Sequence, residues 1–298
     1  MDEGDRLAQR FETHRAHLRA VAYRILGSPA EAEDAVQEAW LRLSRSDTSG
    51  VQNLAGWLTT VVARVCLDVL RSRRSRREEA IGLELPEPLG NGEGGIDPED
   101  EAVLADSVGR ALLVVLGTLA PAERIAFVLH DTFAVPFDEI APILARSPAA
   151  AKKLASRARR RVHGRSEVPD ADLVRHRGVV DAFLAAVRGG DMDALLAVLD
   201  PDVVRRTDPV VLPSGAPIQV RGAHHVLREA PVFSRHARFA EPALVNGALG
   251  ALVAPRGQLI LALTFAIKDD KIVEFEVIAE RARLDRLDVA VLDRRLAG

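Results

Sequence analysis

Apolar residues recur at three- and four-residue intervals through the first part of the chain, which is the spacing of an amphipathic helix. One run shows this most clearly, because its apolar positions form a single stripe: Ala32, Ala35, Val36, Ala39, Trp40 and Leu43. Ser28 is a suitable N-cap for that helix, and Pro29 occupies its first helical position. The pattern therefore predicts a helix over residues 29–43, and a further helix is predicted over residues 54–74.

A second helical block occupies residues 109–163, and its last part has the pattern of a helix-turn-helix. Residues 136–144 predict a short helix, and residues 148–162 predict a longer helix that Ser147 caps after a tight turn. The longer helix is basic, with Lys152, Lys153, Arg157, Arg159, Arg160 and Arg161. A short helix, a turn and a basic helix in this order indicate a DNA-binding unit.

The pattern changes near residue 173, where helices predicted over 174–187 and 192–199 give way to alternating apolar and polar positions. Alternation of period two predicts strands, and five runs show it: residues 203–207, 218–220, 251–254, 259–267 and 271–277. Asp269-Asp270 is a hairpin turn signal between the last two. The fold class is therefore multi-domain, with two all-α modules followed by an α+β domain.

The charges are distributed unevenly along the chain. The totals nearly balance, with 40 Lys+Arg against 43 Asp+Glu. Residues 78–108, however, contain ten acidic residues and no Lys or Arg, whereas residues 109–165 contain ten basic residues against four acidic ones. Because residues 78–96 are also rich in Gly and Pro, they are predicted to be a linker. Basic blocks on both sides of an acidic spacer favour contact with a polyanion at two places.

Composition excludes several classes of protein. A chain with 48% hydrophobic residues can form cores, so a wholly disordered protein is excluded. The single cysteine, Cys66, excludes an internal disulfide framework and a cysteine-cluster metal site, and we expect no metal and no cofactor. The first residues are acidic and lack the apolar segment of a signal peptide, and no uninterrupted apolar run is long enough for a membrane span. We therefore expect a cytoplasmic protein without membrane contact.

The basic helix and the helix before the linker carry candidate nucleic-acid contacts. Lys152, Lys153 and Arg157 are placed to reach base edges or phosphates in a major groove, and a merely solvated cationic face is the alternative. Trp57 precedes Arg64 on the other helix, and an aromatic ring beside cations suits unstacked single-stranded DNA. A core position is an equally good interpretation of Trp57.

Two carboxylates, Asp34 and Glu38, share one face of the helix predicted over 29–43. No nearby His or Lys would make them an acid–base pair, so a docking face is favoured over a catalytic site.

Three stretches, in this order along the chain, resemble motifs of the extracytoplasmic-function (ECF) sigma factors of the sigma-70 family. Residues 32–42 (AEDAVQEAWLR) resemble the helix with which the family binds RNA polymerase. Residues 57–74 resemble its segment that melts and reads the −10 element. Residues 119–124 (LAPAER), followed by the helix-turn-helix, resemble its −35-reading region. The resemblance covers residues 8–163, and the motifs are specific.

The resemblance implies roles for individual residues. It implies binding to the coiled coil of the largest polymerase subunit by Asp34, Gln37, Glu38 and Leu41. It implies handling of the melted −10 strand by Trp57, Arg64, Arg71, Arg73 and Arg74. It implies contact with the −35 duplex by Lys152, Lys153, Ser156, Arg157 and Arg160. Val65 departs from the Asn of many members, which leaves the −10 sequence open, and the acidic linker fits either an RNA mimic or a solvated spacer.

Residues 173–281 resemble a SnoaL-like (NTF2-like) domain, as found in sigma factors of the SigJ type. The resemblance implies a fused regulator that touches the sigma modules and tunes their activity. Two departures are visible: residues 209–212 (PVVL) replace a glycine-rich element after Asp208, and residues 279–282 (AERA) replace an Asn-Pro-Asp-Lys element. Residues 282–298 are predicted to form an additional C-terminal helix.

A pocket in this last domain is predicted to involve four side chains: Asp202, Arg205, Asp208 and His224. NTF2-like cones often enclose a pocket, and some catalyse cyclisation with a His/Asp pair. Sensing of a small-molecule ligand, catalysis and protein contact alone all remain open for this domain. An exposed helix start is the alternative interpretation of His224, which follows Gly222.

The sequence therefore predicts a sigma factor with five parts: region 2 over residues 1–77, an acidic linker over 78–108, region 4 over 109–165, the SnoaL-like domain over 173–281 and the C-terminal helix over 282–298. It would make no covalent bonds itself but would direct RNA polymerase to its promoters. Its expected partners are core RNA polymerase, promoter DNA and a candidate small-molecule ligand of the tail. The alternative is a ligand-sensing one-component regulator that uses the same helix-turn-helix.

Overall fold

The computed structural model describes residues 3–46, 51, 53–79, 109–166 and 168–292. The described residues fall into two compact units. The first contains residues up to 79 together with 116–160, and the second contains residues 109–115 and everything from 161 onwards. The predicted acidic linker, residues 80–108, lies outside the described residues.

The first half of the chain is helical throughout its described residues. Its helices are α1 (Glu3–Leu26), α2 (Pro29–Ser44), α3 (Leu54–Glu79), α4 (Arg110–Thr118), α5 (Pro121–Phe127), α6 (Phe137–Leu144) and α7 (Pro148–His163), with a π-helical turn (Val128–Thr132) between α5 and α6. The helices predicted over 29–43, 54–74 and 148–162 are confirmed, as is the helix-turn-helix formed by α6 and α7.

Helices α1, α2 and α3 pack against one another because each buries one apolar stripe. Leu18, Ile25, Leu43 and Leu58 are completely buried between them. Helix α3 also packs against α5 and α6, so the two groups of helices share the core of the first unit. This shared core places the charged outer faces of α2, α3 and α7 on one compact body.

The second unit combines helices with a mixed sheet. Its elements are α8 (Asp170–Gly189), α9 (Met192–Val198), β1 (Leu199–Thr207), β2 (Gln219–Arg221), α10 (Ala223–Ala237), β3 (Ala240–Val245), β4 (Ala248–Val253), β5 (Leu261–Lys268), β6 (Lys271–Ile278), α11 (Arg281–Leu284) and β7 (Val289–Ala290), with 3-10 turns at Pro209–Val211 and Pro255–Gly257. The predicted α+β domain is confirmed.

The seven strands of the described residues form one sheet in the order β2-β1-β6-β5-β4-β3-β7. Strands β1 and β6 pair in parallel, and the other neighbours pair antiparallel. Register shifts interrupt the ladders between Leu199 and Val204 and between Ala266 and Ile267, and such bulges bend a sheet. Helix α8 packs on β3 and β4, and α10 packs on β1 and β2, so both helices cover the sheet and enclose an apolar core.

The hairpin predicted at Asp269-Asp270 is confirmed: both residues have positive φ, 49° and 58°, and connect β5 to β6. Strand β3 was not predicted, because Pro242 interrupts its alternation. The sheet tolerates that proline because β7 pairs only with Leu244 and Val245 and so leaves it beyond the pairing on that side.

The C-terminal helix predicted over 282–298 is wrong for the described residues. Helix α11 ends at Leu284, and the chain then returns as β7, which pairs antiparallel with β3. Val289 and Ala290 are buried in this strand. Apolar residues after position 284 have helical spacing in the sequence, but in the structure they pack at the edge of the sheet. A strand of two residues is too short for its alternation to be recognised. Residues 293–298 lie outside the described residues.

Candidate nucleic-acid interface

Helix α2 presents the predicted docking face to solvent. Ser28 caps the helix by accepting a hydrogen bond from the backbone N–H of Glu31 at 3.4 Å. The inward stripe is buried and comprises Ala32, Ala35, Val36, Ala39 and Leu43. Asp34, Gln37 and Leu41 are exposed on the other face, and Glu38 is half-buried and pairs with Arg42 at 2.8 Å. The helix therefore offers two carboxylates beside one exposed leucine, which is 38% accessible.

The predicted −10 residues on α3 do not all face solvent. Arg64, Arg71 and Arg74 are exposed, and Trp57 is half-buried, as suits a ring that both packs and presents an edge. Arg73 instead turns towards the body of the unit, where its Nη1 donates to the backbone carbonyl of Leu26 at 3.2 Å and its guanidinium forms an ion pair with Glu31.

The predicted −10 role of Arg73 stays a prediction, because in this structure the protein itself engages the side chain. A run of arginines at a helix end gives no indication of which member the tertiary fold will use.

Two local features shape the helix-turn-helix: a left-handed residue that ends α6 and a side-chain cap that begins α7. Ala145 ends α6 with φ 52°, and Ser147 Oγ accepts a hydrogen bond from the backbone N–H of Ala150 at 3.2 Å at the start of α7. The inward face of α7 carries small residues, Ala151, Ala155 and Ala158, all completely buried. These small side chains let α7 lie close to its neighbours.

The outward face of α7 carries the whole predicted −35 set, and every member is exposed: Lys152, Lys153, Ser156, Arg157 and Arg160. Arg157 Nε lies 3.5 Å from Glu123 Oε1, a long contact between an exposed guanidinium and a largely buried carboxylate. Arg159 pairs with Asp131, with Nε donating at 2.7 Å. Exposed cations on one face of a helix that follows a tight turn are the arrangement that reads a DNA groove.

A buried arginine in the shared core was missed by the sequence analysis. Arg124 in α5 is only 6% exposed and lies beside Cys66 and Arg73 of α3. Burial, together with the nearby charge of Arg73, lowers the pKa of Arg124 to about 10, and burial raises the pKa of the Cys66 thiol to about 12. Arg124 belongs to the LAPAER motif, which was assigned to −35 reading, but here it packs against the −10 helix.

A second contact joins the same two groups of helices. The ring of Phe133, just after the π-helical turn, meets the His17 ring edge-on at 5.3 Å between centroids. The guanidinium of Arg24 lies over the same ring, 5.2 Å from its centroid. Burial, and then the neighbouring charge of His14, lowers the pKa of His17. The helices before the linker and those after it are therefore joined at a second place within the first unit.

The four residues predicted to share a pocket in the second unit do not come together. Asp202 is exposed, and its Oδ1 lies 3.9 Å from Nε of Arg221. His224 is exposed at the start of α10. Arg205 is buried, at 1% exposure, and lines a cavity. Asp208 is buried elsewhere, against residues that follow β6. Only Arg205 belongs to the cavity, and the predicted pocket is corrected accordingly.

Asp208 joins the end of β1 to the segment that follows β6. Its Oδ2 accepts hydrogen bonds from the backbone N–H groups of Ala279 and Glu280, both at 2.9 Å, and its Oδ1 pairs with Arg283. Arg283 also donates to Glu276 at 2.8 Å. Burial by itself raises the pKa of Asp208, but these hydrogen bonds and the charge of Arg283 outweigh it and leave the pKa below its ordinary value of 3.8.

Replacing Asp208 with Asn is expected to destabilise the second unit by roughly 1–3 kcal/mol, because it removes the charge that these donors stabilise. Urea unfolding at neutral pH will measure the change. The pKa of Asp208 is lower in the folded state than in the unfolded state. The carboxylate therefore contributes fully to stability above its unfolded pKa, and this contribution is lost as the pH falls through the folded pKa. The difference in free energy of unfolding between wild type and Asp208→Asn should therefore become smaller in acid.

The matched control is Asp202→Asn, an exposed aspartate on β1, the strand that precedes Asp208, and it should change stability by less than about 0.5 kcal/mol. A change no larger for Asp208→Asn than for Asp202→Asn would contradict this account of the clamp.

No group of three potential metal ligands occurs among the described residues, and no helix among them has the length and hydropathy of a membrane span.

Both groups of helices match models of known protein families. Residues 10–76 match the family model of sigma-70 region 2, and residues 109–162 match that of sigma-70 region 4. The chain is 44% identical to the ECF RNA polymerase sigma factor SigJ of Mycobacterium tuberculosis over 252 residues, which cover 82% of this chain and 80% of that protein. It is 33% identical to the probable ECF RNA polymerase sigma factor SigI of the same species over 293 residues, which cover 96% and 98%.

Solved structures were compared as well. The crystal structure of M. tuberculosis SigJ is 36% identical and covers 93% of this chain and 98% of its own, with a TM-score of 0.44. A putative polyketide cyclase from Sinorhizobium meliloti is 28% identical and covers 37% of this chain and 100% of its own, with a TM-score of 0.27.

Proposed function

Because this chain belongs to the ECF RNA polymerase sigma factors and acts as a sigma factor, we propose that three exposed helix faces carry its separate tasks. The outer face of α2 binds core polymerase, α3 handles the melted −10 strand, and α7 reads the −35 duplex. The observation that carries this assignment is the outer face of α7, where all five predicted −35 residues are exposed behind a capped helix start.

At the −35 element, α7 enters the major groove with its N-terminal half. Lys152 and Lys153 lie in the first two turns, where a recognition helix meets base edges. Arg157 follows one turn later, and an arginine can make a bidentate contact with guanine. Arg160 lies nearer the end of the helix, where it is suited to a phosphate. Ser156 lies between them on the same face.

At the −10 element, the exposed arginines of α3 track the phosphates of the melted strand, and Trp57 offers a ring on which an unstacked base can stack. Arg73 joins this group once it leaves its contacts with Leu26 and Glu31.

On the polymerase side, Asp34, Gln37, Glu38 and Leu41 form a small acidic patch around one exposed leucine. Such a patch suits a basic helical partner, with the leucine as anchor and the carboxylates setting orientation. The match of residues 10–76 to region 2 decides against the alternative of a one-component regulator, which needs no such helix.

The test of this assignment is co-elution of the purified full chain with bacterial core RNA polymerase, followed by run-off transcription from a promoter selected with that holoenzyme. Binding and promoter-dependent transcripts are expected. If neither the full chain nor a version ending at residue 166 binds core polymerase, the assignment of α2 fails.

The SnoaL-like tail tunes this activity by holding region 4. Within the second unit, Glu241 of β3 accepts a hydrogen bond from the backbone N–H of Ala111 at 2.9 Å, and its other oxygen pairs with Arg110 at 3.4 Å. The carboxylate therefore caps the N-terminus of α4. At the other end of region 4, Val291 donates its N–H to the carbonyl of Val162 at 2.7 Å. Ala111 and Val162, near the two ends of region 4, are thus bound to the tail within the second unit.

Glu241→Gln is expected to raise transcription about fivefold at a fixed concentration of the sigma factor, since losing a charged helix cap costs about 1 kcal/mol and shifts a two-state equilibrium by that factor. Initial rates of run-off transcription measure it. The control is Glu280→Gln, an exposed glutamate of the same unit. Equal rates for wild type and Glu241→Gln would contradict the restraining role of this cap.

The tail responds to a small molecule rather than transforming one, and the chain works in the cytoplasm, where polymerase and chromosome are. The observation behind the first statement is the separation of Asp202 and His224 from the cavity, which leaves no acid–base pair formed by them there.

A further inference from the structure

The second unit contains an apolar cavity of about 80 Å³ under helices α8 and α10. One buried water position needs roughly 10–15 Å³ on this measure, so the cavity has room for about five to eight of them. A ligand with about as many non-hydrogen atoms has the same size. The volume of the cavity therefore suits one small ring.

The surface of this cavity is almost wholly apolar. Its wall is formed mainly by aromatic and aliphatic side chains, among them Phe183, Leu263 and Phe275. Arg205 and His236 are the polar residues among the described ones that line it, and they contribute almost no polar surface to it. Arg205 also has an interaction of its own within the protein. A charged ligand would therefore lose its hydration here without gaining a partner.

Water is a poor occupant of such a cavity as well, because a buried water needs about two to four polar partners. An empty cavity lowers stability, since the atoms around it lose packing contacts. An apolar molecule restores these contacts without leaving a hydrogen-bonding group unpaired. Dry apolar cavities in proteins take up molecules such as benzene for this reason.

Phenylalanine rings give the wall its shape. Phe183 meets Phe275 and Phe265 in edge-on contacts, with centroids 5.5 and 5.4 Å apart. Phe183 and Phe275 both line the cavity. Ring edges and faces set at an angle to each other favour a flat aromatic group as their neighbour.

One wall of the cavity is continuous with the residue that holds region 4. Ala240 of β3 and its register partner Val253 of β4 both line the cavity. The next residue of β3 is Glu241, whose carboxylate caps α4. Arg188 of α8 fastens this end of β3, because its guanidinium donates to the backbone carbonyl of Ala240. A molecule that packs against Ala240 therefore stabilises the strand in the position from which Glu241 holds α4.

We infer that the cavity binds a small apolar aromatic molecule, such as a single-ring hydrocarbon, and that this ligand strengthens the restraint on region 4. The conformation that contains the cavity is also the one in which Glu241 caps α4, so a ligand that fits the cavity stabilises the restrained state. This inference deepens the proposed response to a small molecule. Binding itself is independent of polymerase, and only the consequence for transcription rests on the proposed restraint.

The first experiment measures binding of toluene, phenol and naphthalene to the purified full chain by isothermal titration calorimetry. Toluene is expected to bind at least tenfold more tightly than phenol, whose hydroxyl finds no partner, and than naphthalene, which exceeds the cavity in size. Ala237→Leu fills the cavity from the end of α10 and should weaken toluene binding at least tenfold. The matched control, Ala182→Leu, makes the same change at an exposed position of α8 and should bind like wild type.

Leu263→Phe narrows the cavity from β5 and should also weaken toluene binding, which provides a second measurement if Ala237→Leu fails to fold. The proposed site is overturned if toluene does not bind the wild type, or if phenol or naphthalene binds as tightly as toluene. Unchanged toluene binding in folded Ala237→Leu or Leu263→Phe would overturn it as well.

The second experiment measures initial rates of run-off transcription at a fixed concentration of the sigma factor, with and without toluene at about ten times its Kd. The wild-type rate is expected to fall about threefold or more, because this excess favours the restrained state by up to about elevenfold. Ala237→Leu should not respond because it does not bind toluene, and Glu241→Gln should not respond because it lacks the cap.

Binding of toluene without any change in the wild-type rate would leave the site in place and overturn its coupling to region 4. An equal fall in the rates of all three proteins would be an effect of toluene on polymerase and would overturn the coupling too. The restraint itself is tested separately, by the rate of Glu241→Gln in the absence of ligand.

Discussion

Replacing both Lys152 and Arg157 with alanine will lower transcription from a −35-dependent promoter by at least tenfold. Each direct base contact contributes about 1–3 kcal/mol of discrimination, so losing two of them corresponds to a factor of about 30 to about 25,000. Both side chains are exposed, and the contact of Arg157 with Glu123 is long, so the fold should tolerate the change. Run-off transcription with saturating core polymerase measures the effect.

The same variant should lose its ability to distinguish −35 sequences. The comparison is between the selected promoter and versions with single base changes in the −35 element. A uniform loss on all of them would mean that the two side chains touch phosphates alone, and the salt dependence of binding would then weaken by about one unit of slope per contact. Lys268→Ala with Arg281→Ala, two exposed cations of the second unit, is the control and should leave transcription unchanged.

Reversing the charges of Asp34 and Glu38 to lysine will weaken binding to core polymerase by about 100-fold or more. Like charges brought together in an interface cost several kcal/mol, and both positions lie on the outer face of α2 beside exposed Leu41. Glu38 pairs with Arg42 of its own helix, and both side chains are more than a third exposed, so little folding stability is at stake. Fluorescence anisotropy of the labelled chain titrated with core polymerase will measure affinity in the absence of DNA.

A matched charge change separates docking from a general electrostatic effect. Asp193→Lys with Glu280→Lys alters the net charge equally, at exposed positions of the second unit. It should bind core polymerase like wild type. If both double variants weaken binding to the same degree, the acidic face of α2 is not the docking site, and long-range charge explains the loss.

The sequence predicted the helices of the first unit well because their signals are local. The apolar stripe of α2, its cap at Ser28 and the turn before α7 depend on residues within a few positions of each other. The exposed faces of α2 and α7 follow from the same periodicity, since the residues between buried positions must face outward. The order of the three motifs along the chain then indicated the family, which the comparisons confirm.

The sheet was predicted less well, since pairing joins distant parts of the chain. Strand β3 contains a proline, and β7 has two residues, so neither carries a clear alternation. Their existence depends on β4 and on each other. The helix predicted beyond residue 284 is wrong for the same reason. The spacing of apolar residues there suited a helix, but residues 289–290 pair with the edge of β3 as a strand.

The functional residues also divide into those that the sequence predicted and those whose surroundings only the structure shows. The sequence by itself determined the family, through three local motifs, and it predicted the exposed faces of α2 and α7, because each is one amphipathic helix whose pattern lies within a short stretch of chain. Only the tertiary structure decided that Arg73 and Arg124 turn inward, that Glu241 caps α4, and that Arg205 alone among the predicted pocket residues reaches the cavity. The physical reason is that the environment of a charged side chain is set by its neighbours in space, and a sequence specifies those neighbours only through packing and strand register.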